Sequence, residues 1–265
     1  MKSLTSPFHP FTLSFFRLFA VSLFMSLTVA SCGLLESDAQ DPNEIGGETN
    51  LEMTEVGQKF DVYADLYDFI PDGYIWEDSI IVTKRSSGVV TMDVNLRFEE
   101  KVIYTLDSLF GTQNLPRESK LAILDAVLEK YGATIDTSEK GFIRIHAEPK
   151  FKITSEGIQE YVNSNGDQSK PFTIIKYNAK VGDKYTFKRS DGTTITRTVT
   201  YHSTDDDYEV GFWLLKVFKT EEVVPNDPLF QKIIYVTNHK YGTVGAHIFT
   251  KDGKEIRLGI WPPTL

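Results

Sequence analysis

Apolar and polar residues alternate with a period of two along much of the chain. Val90, Met92, Val94, Leu96 and Phe98 are interleaved with Thr91, Asp93, Asn95 and Arg97. Successive side chains of a strand point to opposite faces, so this stretch predicts a half-buried strand. With Ser79–Lys84 before it and Arg85-Ser86-Ser87-Gly88 between, residues 79–98 predict a hairpin. Lys184–Ser190 and Thr193–Tyr201 flank Asp191-Gly192, a dipeptide whose tolerance of positive φ suits a two-residue hairpin turn. Phe142–Ala147, Gln231–Asn238 and Thr243–Thr250 predict further strands, and Lys251-Asp252-Gly253-Lys254 turns the chain into Glu255–Ile260. Glu209–Lys219 is apolar at both parities, with Trp213, Leu215 and Val217 on one face and Phe212, Leu214 and Phe218 on the other. That pattern predicts a central strand covered on both sides, with Trp213 in the core.

The period changes once with force. Leu121, Leu124, Leu128 and Tyr131, joined by Ile123 and Val127, recur at three-to-four spacing between Pro116 and Gly132. Proline suits a first helical turn and glycine a C-terminal exit, so 116–131 predicts a long amphipathic helix. Ser155–Asn163 predicts a short helix with Ile158, Tyr161 and Val162 on one side, ended by Asn163-Ser164-Asn165-Gly166-Asp167. The expected class is mainly β (α+β): a curved antiparallel sheet or half-barrel with one long helix. A globular domain is expected over 59–265, as a single body or as two lobes divided near 154–170.

The beginning of the chain is of another kind. Residues 1–31 contain Lys2 and Arg17 and no acid, and the run from Leu18 to Ala30 is apolar or small. Some 13 residues fall short of the ~20 that a membrane-spanning helix needs. A basic start, a short apolar run and small residues before a cut predict a secretory signal peptide cleaved between Ser31 and Cys32. Cys32 is the only cysteine, which excludes an intrachain disulfide. Leu27-Thr28-Val29-Ala30-Ser31-Cys32 resembles the lipobox of bacterial lipoproteins, with Val29 and Ser31 departing slightly from the commoner residues. The resemblance implies a diacylglycerol thioether on Cys32 and an acylated amine after cleavage. Each buried methylene adds ~0.8 kcal/mol, so two or three chains anchor stably where one would be marginal. Gly33 in place of Asp implies, by the same resemblance, sorting to the outer membrane. Which face of that membrane it would occupy stays open.

From Gly33 to Gln58 the chain carries Glu36, Asp38, Asp41, Glu44, Glu48, Glu52 and Glu55, with no Lys or Arg. Low hydrophobicity and one sign of charge predict a flexible tether over 32–58. An acidic stretch close to the cysteine also resembles the export signal of surface lipoproteins of the Bacteroidota type. The leader removes two basic residues and no acid, so the remainder is more acidic than the whole chain, whose net charge is −9. Such a surface lacks the clustered Lys and Arg that nucleic-acid backbones require, so nucleic acid is not an expected partner.

Catalytic signatures are missing from the sequence: no Gly-x-Ser-x-Gly, no His-Glu-x-x-His, no phosphate-binding loop and no Gly-x-Gly-x-x-Gly. No cofactor or metal is expected. His146 and Glu148 share a strand face, and Asp205-Asp206-Asp207 is charged like a calcium loop without its spacing. His239 and His247 fall on neighbouring expected strands and would line a polar pocket with Asn238 and Tyr241 if they met. Tyr74, Trp76 and Trp261 stand beside turns or prolines and are candidate ring platforms for a sugar or a partner protein. The expected role is a non-catalytic envelope lipoprotein that binds a protein, glycan or lipid. The alternative is an envelope hydrolase using carboxylates or the His239/His247 region.

Overall fold

The computed structural model describes residues 43–65, 76–105, 107, 111–223, 227, 230–251 and 253–261. Residues Pro42–Leu265 form one compact unit. The fold is mainly β, a large, nearly closed, curved antiparallel sheet with a single long helix. Its strands are β1 (Lys59–Asp65), β2 (Trp76–Ser86), β3 (Val89–Glu99), β4 (Ala133–Asp136), β5 (Phe142–Ala147), β6 (Lys150–Thr154), β7 (Gly157–Glu160) and β8 (Phe172–Lys176). They continue with β9 (Lys184–Lys188), β10 (Thr194–His202), β11 (Tyr208–Val210), β12 (Trp213–Leu215), β13 (Phe218–Val223), β14 (Phe230–Asn238), β15 (Gly242–Thr250) and β16 (Glu255–Trp261). Among the described residues two helices lie between β3 and β4: α1 (Val102–Thr105) and α2 (Arg117–Glu129).

Fourteen strands make one sheet, running β8-β7-β6-β3-β2-β1-β16-β15-β14-β13-β10-β9, with β5 and β4 branching from β3. Strand β3 is long enough to serve two neighbours in turn along the same edge. Val90 belongs to the main core, whereas Leu96 and Phe98 on the same face meet α2. Accordingly β3 pairs with β6 over its first residues and with β5 over its last. Helix α2 starts after Pro116 and leaves at Gly132, whose φ of +68° few other residues tolerate. It buries Leu124 beside Phe98 and Ile143, with Leu121 and Leu128 packed against them.

The edges β8 and β9 come together without a backbone ladder, and side chains close the seam. Phe172 stacks on Phe187 at 5.2 Å, and the Lys176 amide donates to the Tyr185 hydroxyl at 3.1 Å. Asn43 spans the gap: its Nδ2 donates to the Thr186 carbonyl at 3.0 Å and its Oδ1 accepts from the Thr173 amide at 3.1 Å. Its own carbonyl accepts from Gln159 Nε2. One amide side chain thus satisfies edge groups that a ladder would have paired, and it blunts two edges that would otherwise recruit foreign strands.

Three expectations need correction. The flexible tether does not extend to residue 58. Ile45 is buried, a 3-10 turn at Glu52–Thr54 buries Met53 and Thr54, and Ser155 Oγ accepts from the Glu48 amide. Among the described residues of this stretch Glu44, Glu48, Glu52 and Glu55 face water, while Ile45 and Met53 are buried. Second, residues 155–163 hold strand β7, not a helix; Gly157 is needed there because a Cβ would come within 2.3 Å of the Ile175 carbonyl. Strand pairing on both sides overrides a short helical period. Third, 209–219 is not one central strand. It is the small hairpin β11–β12 followed by β13, and Gly211, with φ +60°, turns the chain where continuity was expected.

Candidate functional site

The curved sheet carries a partly open apolar pocket of about 230 Å³. Phe60, Ile80, Met92, Val94, Phe151, Ile158, Ile174, Ala246 and Ile260, drawn from eight strands, line it. Alternation puts them there: Val94 and Met92 are two apart on β3, and Ala246 faces Tyr235 across the β14–β15 ladder. Met53 enters from the 3-10 turn and packs on Gly242, where a Cβ would meet its sulfur at 2.9 Å. Tyr235, Tyr241 and Thr243 bring the hydroxyls of the lining. A cavity of 150 Å³ with apolar walls holds benzene, so this volume accepts a larger apolar group.

The polar end of Tyr235 is already engaged. Behind it lies Arg197, fully buried on β10. Arg197 Nε donates to Glu222 Oε2 at 2.7 Å, and Nη2 donates to Glu160 Oε1 at 3.0 Å and to the Tyr235 hydroxyl at 3.3 Å. Nη1 donates to the carbonyls of Phe172 and Thr173 at 3.3 and 3.2 Å. The five guanidinium hydrogens are therefore spent. Burial opposes the charge, but Glu222, Tyr235 and Glu160 outweigh it and hold the guanidinium above its usual range. Burial first, then Glu222, pushes the Tyr235 phenol well up, so it stays protonated and donates to Glu222 at 3.2 Å. A carboxylate ligand would find no free donor on Arg197, which fits the cavity to an uncharged group.

His247 lies on the opposite, convex face. The carboxylate Glu255 Oε1 accepts from His247 Nδ1 at 2.8 Å, which leaves Nε2 to accept from the Tyr208 hydroxyl at 3.0 Å. Burial lowers the imidazole's proton affinity against the pull of Glu255, and Arg257 keeps Glu255 ionised. The expected meeting with His239 does not occur. Ile234 pairs with His247 and Asn238 with Gly242, so His239 stands in the turn several residues away, exposed and edge-on to Tyr177 at 6.4 Å. Asn238 staples that turn by accepting from the Lys240 and Tyr241 amides, and Tyr241 joins the cavity instead.

The ring candidates separate likewise. Trp261 packs on the convex face against Gly211 and stands edge-on to Trp213 at 5.9 Å. Trp213, expected in the core, is 37% exposed. Trp76 opens β2 opposite Phe98, while Tyr74 and Cys32 lie outside the described residues. His146 Nε2 meets Asp93 at 2.8 Å at the surface. Asp206 and Asp207 serve their own turn, accepting from the Lys216 amide and from Ser203 and Tyr201. Sequence reading missed the Arg197 cluster and the exposed hairpin tip. For the second a signal existed, since a glycine inside an apolar run marks a break in a strand. Neither a family model nor a curated protein matches this chain.

Proposed function

We propose that this protein is a lipid-anchored module of the cell envelope, held through Cys32 in the outer membrane, that binds an apolar ligand in the cavity of its curved sheet. The observation that carries the reading is the almost wholly apolar lining, in which the Tyr235 phenol is already engaged by Arg197 and Glu222. Dry apolar walls favour a hydrocarbon group through surface removed from water, at ~25 cal/mol per Å². A lipid tail fits such walls; a glycan, which needs hydrogen-bond partners across its faces, does not.

The test uses the processed full chain and a neutral apolar dye whose emission rises in a dry site, N-phenyl-1-naphthylamine. Ala246→Phe places a ring in the cavity and should weaken dye binding at least tenfold while the protein stays folded by circular dichroism. Equal binding by the folded variant and the wild type would remove the cavity from the function. A second reading, an envelope hydrolase, has the Tyr208–His247–Glu255 relay in its favour, since an oriented neutral imidazole accepts a hydroxyl proton. Neither Tyr208 nor His247 lines the cavity, so binding is the stronger conclusion.

A further inference from the structure

The β11–β12 hairpin ends in three consecutive apolar side chains held out to water: Phe212 is 94% exposed, Leu214 58% and Trp213 37%. Its base is fixed. Val210, Leu215 and Val217 are buried against Val236 and Val244 of the main sheet. Gly211 lies so close to Trp261 that a Cβ would come 2.6 Å from the indole. Trp213 is edge-on to Phe212 at 6.5 Å as well as to Trp261. A loose loop would fold such rings inward; a hairpin clamped at its base presents them.

The occupant follows from shape, chain length and charge. A tip of three residues is convex and far smaller than the ~800 Å² per partner that a stable protein interface buries. It suits a soft phase, where aromatic rings settle at the boundary between headgroups and acyl chains. Residues 33–42 separate Cys32 from Asn43, a reach of at most ~40 Å when fully extended. On the lipid-anchored reading, on which this inference rests, the domain is therefore confined to the membrane surface. Asp205, Asp206 and Glu209 beside the tip are exposed and oppose an anionic surface, with Lys216 as a partial offset.

We propose that Phe212, Trp213 and Leu214 insert into the interfacial layer of the bilayer that holds the anchor, a bilayer of zwitterionic headgroups, and thereby set the orientation of the barrel upon it. The experiment reconstitutes the processed full chain into phosphatidylcholine vesicles carrying a shallow spin label and reads tryptophan quenching, with flotation and intact mass in parallel. The wild type should float, carry acyl chains on Cys32 and be quenched. The double variant Phe212→Ser, Leu214→Ser should float equally and melt like the wild type, because both side chains are exposed. It should lose most of the quenching, since removing one such side chain from an apolar phase shifts partition about tenfold. A wild type that floats, is acylated and shows no quenching overturns the insertion alone; so does quenching that survives the double substitution. A wild type that neither floats nor carries acyl chains overturns the anchor, and the insertion falls with it.

Discussion

Replacing Arg197 by Leu tests the central packing claim about this fold. The substitution is close in stem volume and keeps apolar contact with the Phe172 ring, which the guanidinium carbon overlies at 3.8 Å. What it removes is the cation that bridges Glu160 and Glu222, whose side chains are 4% and 3% exposed. Two buried carboxylates then lose their counter-ion, keeping as neutral donors Asn163 on Glu160 and the Tyr235 hydroxyl on Glu222, and the carbonyls of Phe172 and Thr173 at the seam lose the guanidinium. Breaking a buried charge cluster by removing one partner costs about 3–5 kcal/mol, most of it the penalty on the groups left behind. For a domain of this size each kcal/mol lowers the melting temperature by about 2–4 °C, so the drop should fall at about 6–20 °C. Circular dichroism melting at neutral pH is the assay. Adding Glu160→Gln and Glu222→Gln to the Leu variant should recover most of the loss, because neutral amides leave no uncompensated charge. A single variant melting within ~2 °C of the wild type would refute the reasoning. So would a triple variant less stable than the single, since burial of unpaired charge would then not be the cause.

Two other outcomes follow from the same physics. Burial lowers the proton affinity of His247 below its unfolded value, so its contribution to stability is complete above the unfolded value near 6.5 and is lost as pH falls through the lower folded value. His247→Gln should flatten the fall in melting temperature between about pH 7 and pH 5; an unchanged slope would place the titration elsewhere. Asn43→Ala should cost about 1–3 kcal/mol by orphaning the Thr173 amide and the Thr186 carbonyl, and hydrogen exchange at Thr173 should quicken. An amide at Thr173 as protected as in the wild type would show that the seam closes without the strap.

What could be read in the chain was whatever is encoded locally. The Asp191-Gly192 turn, the period of β3 and the Pro116-to-Gly132 helix each rest on residues within one turn or one ladder of each other. Cavity and seam depend on contacts between distant positions. Arg197 meets Glu160 across 37 residues and Asn43 meets Thr186 across 143, and no short window holds both partners. The acidic composition of 43–58 hid the few apolar anchors, Ile45 and Met53, that fasten it. Residues 209–219 misled because apolarity at both parities reads as burial on two sides, whereas here the apolar residues divide along the chain: Val210, Leu215 and Val217 at the hairpin's base are buried, and Phe212, Trp213 and Leu214 at its tip face outward. Among the proposed site residues only His247 sits in a built constellation, and its partners Tyr208 and Glu255 come from other strands.

The Asn43 clasp gives the barrel a mechanical address. Any tension arriving from the residues ahead of Asn43 is delivered to the β8–β9 junction, where, among the described residues, the wall is laced by side chains in place of a ladder. Pulling on the chain ahead of Asn43 would therefore loosen the staves at that joint before it disturbs any paired strand. Thermal opening of that joint is where the interior would first be wetted.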